Sequence, residues 1–152
     1  MPTDDGPFTG YFEVTAPGYL AGLGYPRQPV TEDTNFQVAT IHTLVADQSG
    51  LHPDPSRGAI AAAVLDCSLD SAPGVRFSAD TQDDASLTAY TNGEGLPDPG
   101  LEATTADGIG VVAQLPPGPT VLTVDASVGV VAERSVHVRA DALTWVHVSP
   151  TP

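Results

Sequence analysis

Apolar and polar positions alternate in short runs along most of the chain, and the runs are separated by turn-forming residues. From Gly58 to Cys67 nearly every position is apolar (Ala59-Ile60-Ala61-Ala62-Ala63-Val64-Leu65), which predicts a strand buried on both faces. Val75-Arg76-Phe77-Ser78-Ala79 alternates as a half-buried strand does, and Leu87 to Thr91 is strand-like. Leu101 to Leu115 is divided at Ala106-Asp107-Gly108, and an Asp-Gly pair between apolar segments predicts a hairpin because the turn needs positive φ. Thr120 to Ser127 follows, with Leu122, Val124 and Ala126 alternating against Thr123 and Asp125. Ser135–Arg139 and Leu143–Ser149 are predicted to pair as a last hairpin around Ala140-Asp141-Ala142. Turn signals at Pro73-Gly74, Asp80 to Asp84, Asn92 to Gly100 and Pro116-Pro117-Gly118-Pro119 complete the pattern. It predicts an all-β Greek-key sandwich of about seven to eight short strands.

The first part of the chain is patterned differently. Phe8 to Ala16 and Tyr19 to Tyr25 read as strands around a Pro17-Gly18 turn, and Asn35 to Ile41 reads as a third. Ile41 to Gln48 either continues that strand or forms a short helix, and the helix is favoured. A loose internal echo links Phe12–Leu20 with Leu122–Val130, and Arg27–Val38 with Arg134–Val146, as if the N-terminal segment were half of another sandwich. The expected organisation is an N-terminal β-rich appendage over 1–50, a proline-containing linker over 51–57, and a sandwich over 58–152.

Composition narrows the chemistry. The 152 residues include 15 Gly and 15 Pro, a density that long helices do not survive. Nineteen acidic residues face five basic ones, all of them Arg, for a net charge of −14 at pH 7. Without clustered cations, nucleic acid is not an expected partner and anionic membrane surfaces are disfavoured. Without lysine, isopeptide cross-linking through Lys, P-loop chemistry and Schiff-base catalysis are excluded. Cys67, the single cysteine, cannot form an intrachain disulfide and is expected to be a small buried hydrophobe. No apolar run has the length of a transmembrane helix, so membrane insertion is not expected. Met1-Pro2-Thr3-Asp4-Asp5-Gly6 lacks the apolar core of a signal peptide and is expected to be the start either of an excised fragment or of a mature segment.

The turn motifs also carry a family resemblance. Ala59 to Asp66, Ala72-Pro73-Gly74-Val75-Arg76-Phe77, Thr105-Ala106-Asp107-Gly108-Ile109-Gly110-Val111 and Leu115-Pro116-Pro117-Gly118-Pro119-Thr120-Val121-Leu122 follow one another in that order. This series resembles carboxypeptidase regulatory-like domains, over about residues 58–150. The resemblance implies a transthyretin-like (prealbumin-like) sandwich and an appended, non-catalytic module of a bacterial secreted or surface protein. It also implies an extracellular or cell-surface location. Hydroxyisourate hydrolases share that superfold, but their closing Tyr-Arg-Gly-Ser signature is absent here, where the chain ends Val148-Ser149-Pro150-Thr151-Pro152.

Candidate chemistry is sparse. If the last two strands form a hairpin, alternation puts His137, Arg139, Trp145 and His147 on one outward face, with Val136, Val138, Val146 and Val148 turned to the core. An outward Trp is either a binding patch, since Trp, Arg and His anchor interfaces, or a surface covered by Phe8, Tyr11, Phe12 and Tyr19. A His137–His147 metal pair lacks a third ligand at recognisable spacing. Asp80, Asp83 and Asp84, and separately Glu32 and Asp33, form acidic loops without the spacing of an EF-hand, and solvated loops are the favoured reading. No nucleophile motif is present, and neither a cofactor nor a metal is expected. The expected function is therefore a structural or interaction module, binding a protein partner or itself. The alternative is a carbohydrate- or peptide-binding accessory domain of a secreted enzyme.

Overall fold

The computed structural model describes residues 7–31, 38–51 and 54–149. Among these the chain forms ten strands and one short helix. In chain order they are β1 (Phe12–Val14), β2 (Ala21–Gly24), α1 (Thr43–Gln48), β3 (Gly58–Val64), β4 (Arg76–Ala79), β5 (Leu87–Thr91), β6 (Pro97–Asp98), β7 (Ile109–Leu115), β8 (Gly118–Ala126), β9 (Gly129–Val138) and β10 (Ala142–Val148). A mixed sheet ordered β1-β2-β10-β3-β7-β5-β6 packs on a smaller one ordered β4-β8-β9. The all-β sandwich is as the sequence predicts, and β3 to β10 are the strands that follow Gly58.

The apolar run of β3 is buried along its whole length because both faces of its sheet are covered. Its inner side chains, Ile60, Ala62 and Val64, join Phe77, Val112, Leu122, Val124, Val136, Val138, Val146 and Val148 between the two sheets. Burying each large aliphatic among them stabilises the fold by about 1.5–3 kcal/mol. A hydrogen bond also crosses this layer: the Phe77 N–H on β4 donates to the Tyr90 hydroxyl on β5 at 2.9 Å.

The outer face of the large sheet is built from smaller residues. Ala59 and Ala61 lie beside Leu143, Val111, Ala113 and Ala89, and Leu51, Ile41 and Trp145 pack on them. The cover is a strap made of the chain from Val38 through α1 to Leu51. His42 caps α1 by accepting the Leu44 N–H on Nδ1 at 3.2 Å, and Ala46 is fully buried. Over β2 the strap lies so close that a Cβ on Gly22 would sit 2.9 Å from a Val38 methyl and 3.2 Å from the Ala39 carbonyl oxygen. Glycine is what lets the strap down onto the sheet.

The end of the chain departs from expectation. Ser135–Arg139 and Leu143–Ser149 do not form a hairpin. β9 pairs antiparallel with β8 in the small sheet, whereas β10 runs parallel to both β2 and β3 in the large one. The chain changes sheets through Arg139, Ala140 and Asp141, with Asp141 at φ 55° and its N–H donated to the Arg57 carbonyl at 3.0 Å. The Arg139 carbonyl lies against Gly58, where any side chain would collide with it. Val146 and Val148 face inward as expected, because the alternation within each strand does not depend on its neighbours.

Two smaller expectations also change. Asp107-Gly108 makes a turn, with Gly108 at φ 69°, but Leu101 to Thr105 is not its partner strand. Thr104 instead exchanges hydrogen bonds with the start of the β4 arm, accepting from Gly74 N–H and donating to the Val75 carbonyl. Cys67 is exposed rather than buried. β3 stops at Val64, and the Asp66 carboxylate then accepts the N–H groups of Ser68 and Asp70 at 2.7 and 3.0 Å, a turn that carries Cys67 away from the core.

The N-terminal segment contributes β1 and β2, and the residues from Thr43 form the favoured helix. Val38 to Ile41 belongs to no strand, and Asn35 to Gln37 lie outside the described residues. β1 and β2 do not stand apart: β2 extends the large sheet along the edge of β10. Among the described residues no helix is long and apolar enough to cross a membrane.

Candidate binding surface

Alternation along β10 turns Leu143, Trp145 and His147 to the outer face of the large sheet. In register, Trp145 stands between Gly24 on β2 and Ala61 on β3. Small neighbours on both sides leave the indole a shallow trough. The Trp145 and His147 rings meet edge to face, with centroids 5.8 Å apart. Together with Val38 and Ala39 of the strap they line a cleft of about 440 Å³. Burial holds the His147 imidazole below its ordinary pKa, and the positive field of Arg27 adds to the effect. The ring is therefore neutral near pH 7, with one nitrogen able to donate and the other to accept.

His137 and Arg139 are elsewhere. His137 is exposed on the outer face of the small sheet, so it lies across the sandwich from His147, and the two cannot share a metal ion. Its backbone N–H donates to the Tyr25 hydroxyl at 3.0 Å. Arg139, at the crossover, reaches the edge of the large sheet and holds Glu13 of β1 by two parallel bonds of 2.7 and 2.8 Å. The hydrogen bonds that Arg139 donates hold the Glu13 carboxyl below its ordinary pKa, and the same bonds raise that of the guanidinium. Arg139 is thus a strut between the crossover and β1. The four residues expected on one face divide into a pair, Trp145 and His147, and two separate positions, because the hairpin that would unite them does not form.

The N-terminal aromatics are likewise divided. Tyr11 packs on Tyr25 at 5.5 Å and Tyr19 on His42 at 5.1 Å. Phe12, paired with Phe8 at 5.1 Å, stands in the same row as Trp145 with Gly24 between them. The strap residues Val38 and Ala39 are what wall the Trp145 cleft.

The acidic loop works as scaffold. Asp83 accepts from Arg57 Nη2 at 2.7 Å, which holds its carboxyl below the usual range, and Asp80 accepts the Val121 N–H at 2.9 Å. Asp84 is exposed, and Glu32, Asp33 and His52 lie outside the described residues. Among the described residues no three His, Cys, Asp or Glu side chains gather as a metal site.

A second concavity went unmarked by the sequence. A groove of about 590 Å³ runs between Phe8–Gly10 and Tyr25–Pro29 on one side and Glu133–Ser135 of β9 on the other. Arg134 Nη2 donates across it to the Pro26 carbonyl at 3.1 Å. Its walls come from three distant stretches of chain, so no local spacing could have announced it.

No family model matches the chain, and no curated protein matches it. Among solved structures the chain is similar to a streptococcal ancillary pilin, at a TM-score of 0.39 and 13% identity, over 92% of this chain and 44% of that one. The chain thus spans less than half the length of that protein. A likeness this loose concerns β-rich architecture and says nothing of what the chain binds. Gly74 and Gly108, which sit in two of the turn motifs, adopt the positive φ that such turns require in any fold.

Proposed function

We propose that this chain is a non-catalytic structural or interaction module of an exported bacterial surface protein or extracellular assembly. One observation carries this reading. Charged side chains that could have served chemistry are instead engaged in holding the sandwich together: Arg57 with Asp83, Arg139 with Glu13, Asp66 and Asp80 with backbone N–H groups. What faces outward beside them is a surface suited to contact, the half-buried Trp145 and a neutral His147 at a cleft mouth. The resemblance stated above supports an extracellular setting.

The same cleft favours the second reading, an accessory domain that binds a carbohydrate or peptide through Trp145. Because Trp145 is the only tryptophan, its emission reports on this cleft alone. Titration with soluble glycans and extended peptides is expected to shift that emission for a ligand of the second class. Trp145→Ala, which also removes the fluorophore and is therefore read by titration calorimetry, is expected to remove the binding and leave the protein folded. Hydrolysis of ester, peptide or glycoside substrates that disappears in His147→Ala would overturn the non-catalytic reading.

A further inference from the structure

We infer that the groove beside β9 is a docking site for an extended, carboxylate-bearing peptide strand of a partner protein. The inference deepens the reading of the chain as an interaction module and makes no use of the Trp145 cleft.

The backbone supplies the first part of the case. β9 is an edge strand of ten residues that pairs with no strand but β8 among the described residues, and side chains of Tyr25 and Thr144 meet its backbone only at His137. The His137 N–H donates to the Tyr25 hydroxyl rather than to β8, and its register partner Pro119 has no N–H to return. His137 therefore marks the outward-pointing set of backbone groups. By antiparallel alternation Ser135 and Glu133 belong to the same set. Among the described residues no hydrogen bond meets either of their N–H groups. An edge left open in this way is a template for one more strand. The arm formed by Phe8–Gly10 and Tyr25–Pro29 does not fill the place. It lines the far side of the groove and, among the described residues, is tied to β9 only by Tyr25 and Arg134 side-chain bonds.

Charge supplies the second part, independently. Three of the five arginines are ion-paired, Arg57 to Asp83, Arg76 to Glu102 and Arg139 to Glu13. The other two, Arg27 and Arg134, have no carboxylate at ion-pair distance among the described residues, and both line this groove. Guanidinium groups that have no carboxylate partner among the described residues, gathered in one concavity, mark where an outside carboxylate belongs. Glu133 also lines the groove, which leaves two cations against one anion there. Phe8, Tyr25, Pro26 and Pro29 give the strand's apolar side chains a surface to rest on. A partner strand paired to β9, with an acidic residue reaching Arg27, satisfies all three features.

The test uses the full chain and a fluorescein-labelled heptapeptide, Asp-Val-Thr-Val-Thr-Val-Asp. Saturable anisotropy is expected, with slowed amide exchange at Glu133 and Ser135. A peptide N-methylated at alternate residues, unable to pair with the edge, should bind at least about tenfold more weakly. An Asn-for-Asp peptide should lose about threefold, and Arg27→Gln should erase that difference. Ser135→Pro, which removes an outward N–H at an edge position, should weaken binding while thermal unfolding confirms the fold. Trp145→Ala should leave binding unchanged; if it abolishes binding, the peptide sits in the outer cleft, and this inference falls while the proposed function stands. Absence of saturable binding, or equal binding of the N-methylated peptide, overturns the inference.

Discussion

The two faces of the large sheet are made from the same strands yet are closed in opposite ways. On its inner face, Ile60, Val112 and Val146 meet a second sheet whose strands present Leu122, Val124, Val136 and Val138. On its outer face, Ala59, Ala61, Gly22 and Gly24 meet an irregular strap and one short helix. A sheet offers a regular row of side chains, so large residues can interdigitate across the gap. A strap offers backbone and a few scattered side chains, and over β2 it is the bare backbone of Gly22 that lets it approach. The lesson is that side-chain size, rather than apolar character, distinguishes the two coverings.

The comparison breaks most visibly on the inner face. Leu122→Ala removes a fully buried side chain between two rigid layers, and a loss of about 3 kcal/mol in urea unfolding is expected. A loss below about 1 kcal/mol would mean that the layers collapse readily. On the outer face the opposite change is the sensitive one. Ala61→Leu, beneath Trp145, should cost about 1–2 kcal/mol by overpacking and shift the Trp145 emission to the red as the strap lifts. An unshifted spectrum would show that the strap does not rest on this row. At the corner joining the two sheets, Thr144 Oγ1 donates to the His137 carbonyl at 2.9 Å. Thr144→Val should cost about 1 kcal/mol, read from the same denaturation curves.

The smallest expected effects are in pH dependence. His147 has a folded pKa below its ordinary value, so the unfolded chain takes up a proton first as pH falls. Stability is present above the ordinary histidine pKa and declines as pH drops through it, and His147→Gln should flatten that part of the profile. Glu13 is likewise depressed, by Arg139. Its contribution is present above the ordinary glutamate pKa and lost as pH falls through the folded value, so Glu13→Gln should remove a shallow acid limb. Melting temperatures across the two pH ranges check both; an unchanged slope in either variant would discard the corresponding linkage.

Much of the architecture was legible in the chain. Strands β3, β4, β5 and β8 lie within or close to the segments marked by alternation and turn residues, because those signals are local. The inward valines of β9 and β10 were legible for the same reason. The candidate site was only half legible. Trp145 and His147 share a face because they are two residues apart on one strand. Their supposed companions His137 and Arg139 were assigned through a strand pairing, and pairing is a long-range property. The alternation Ser135–Arg139 and Leu143–Ser149 fits a hairpin, and nothing in that segment shows that Gly58 and the Asp141 turn lead the chain across to the other sheet instead. Cys67 was misplaced because an apolar run continues to Leu65 while the turn after it depends on the Asp66 side chain.

Taken alone, the sequence determined the fold class, the strand interiors, the absence of lysine chemistry and the acidic surface, since each follows from residue identity or near-neighbour spacing. The tertiary structure decided which strands are neighbours, what walls the Trp145 cleft, and that two arginines without carboxylate partners among the described residues line one groove beside an open strand edge. Those outcomes depend on contacts between residues as far apart as Pro26 and Arg134, or Glu13 and Arg139. Their closeness is set by how two complete layers pack, and no local pattern encodes it.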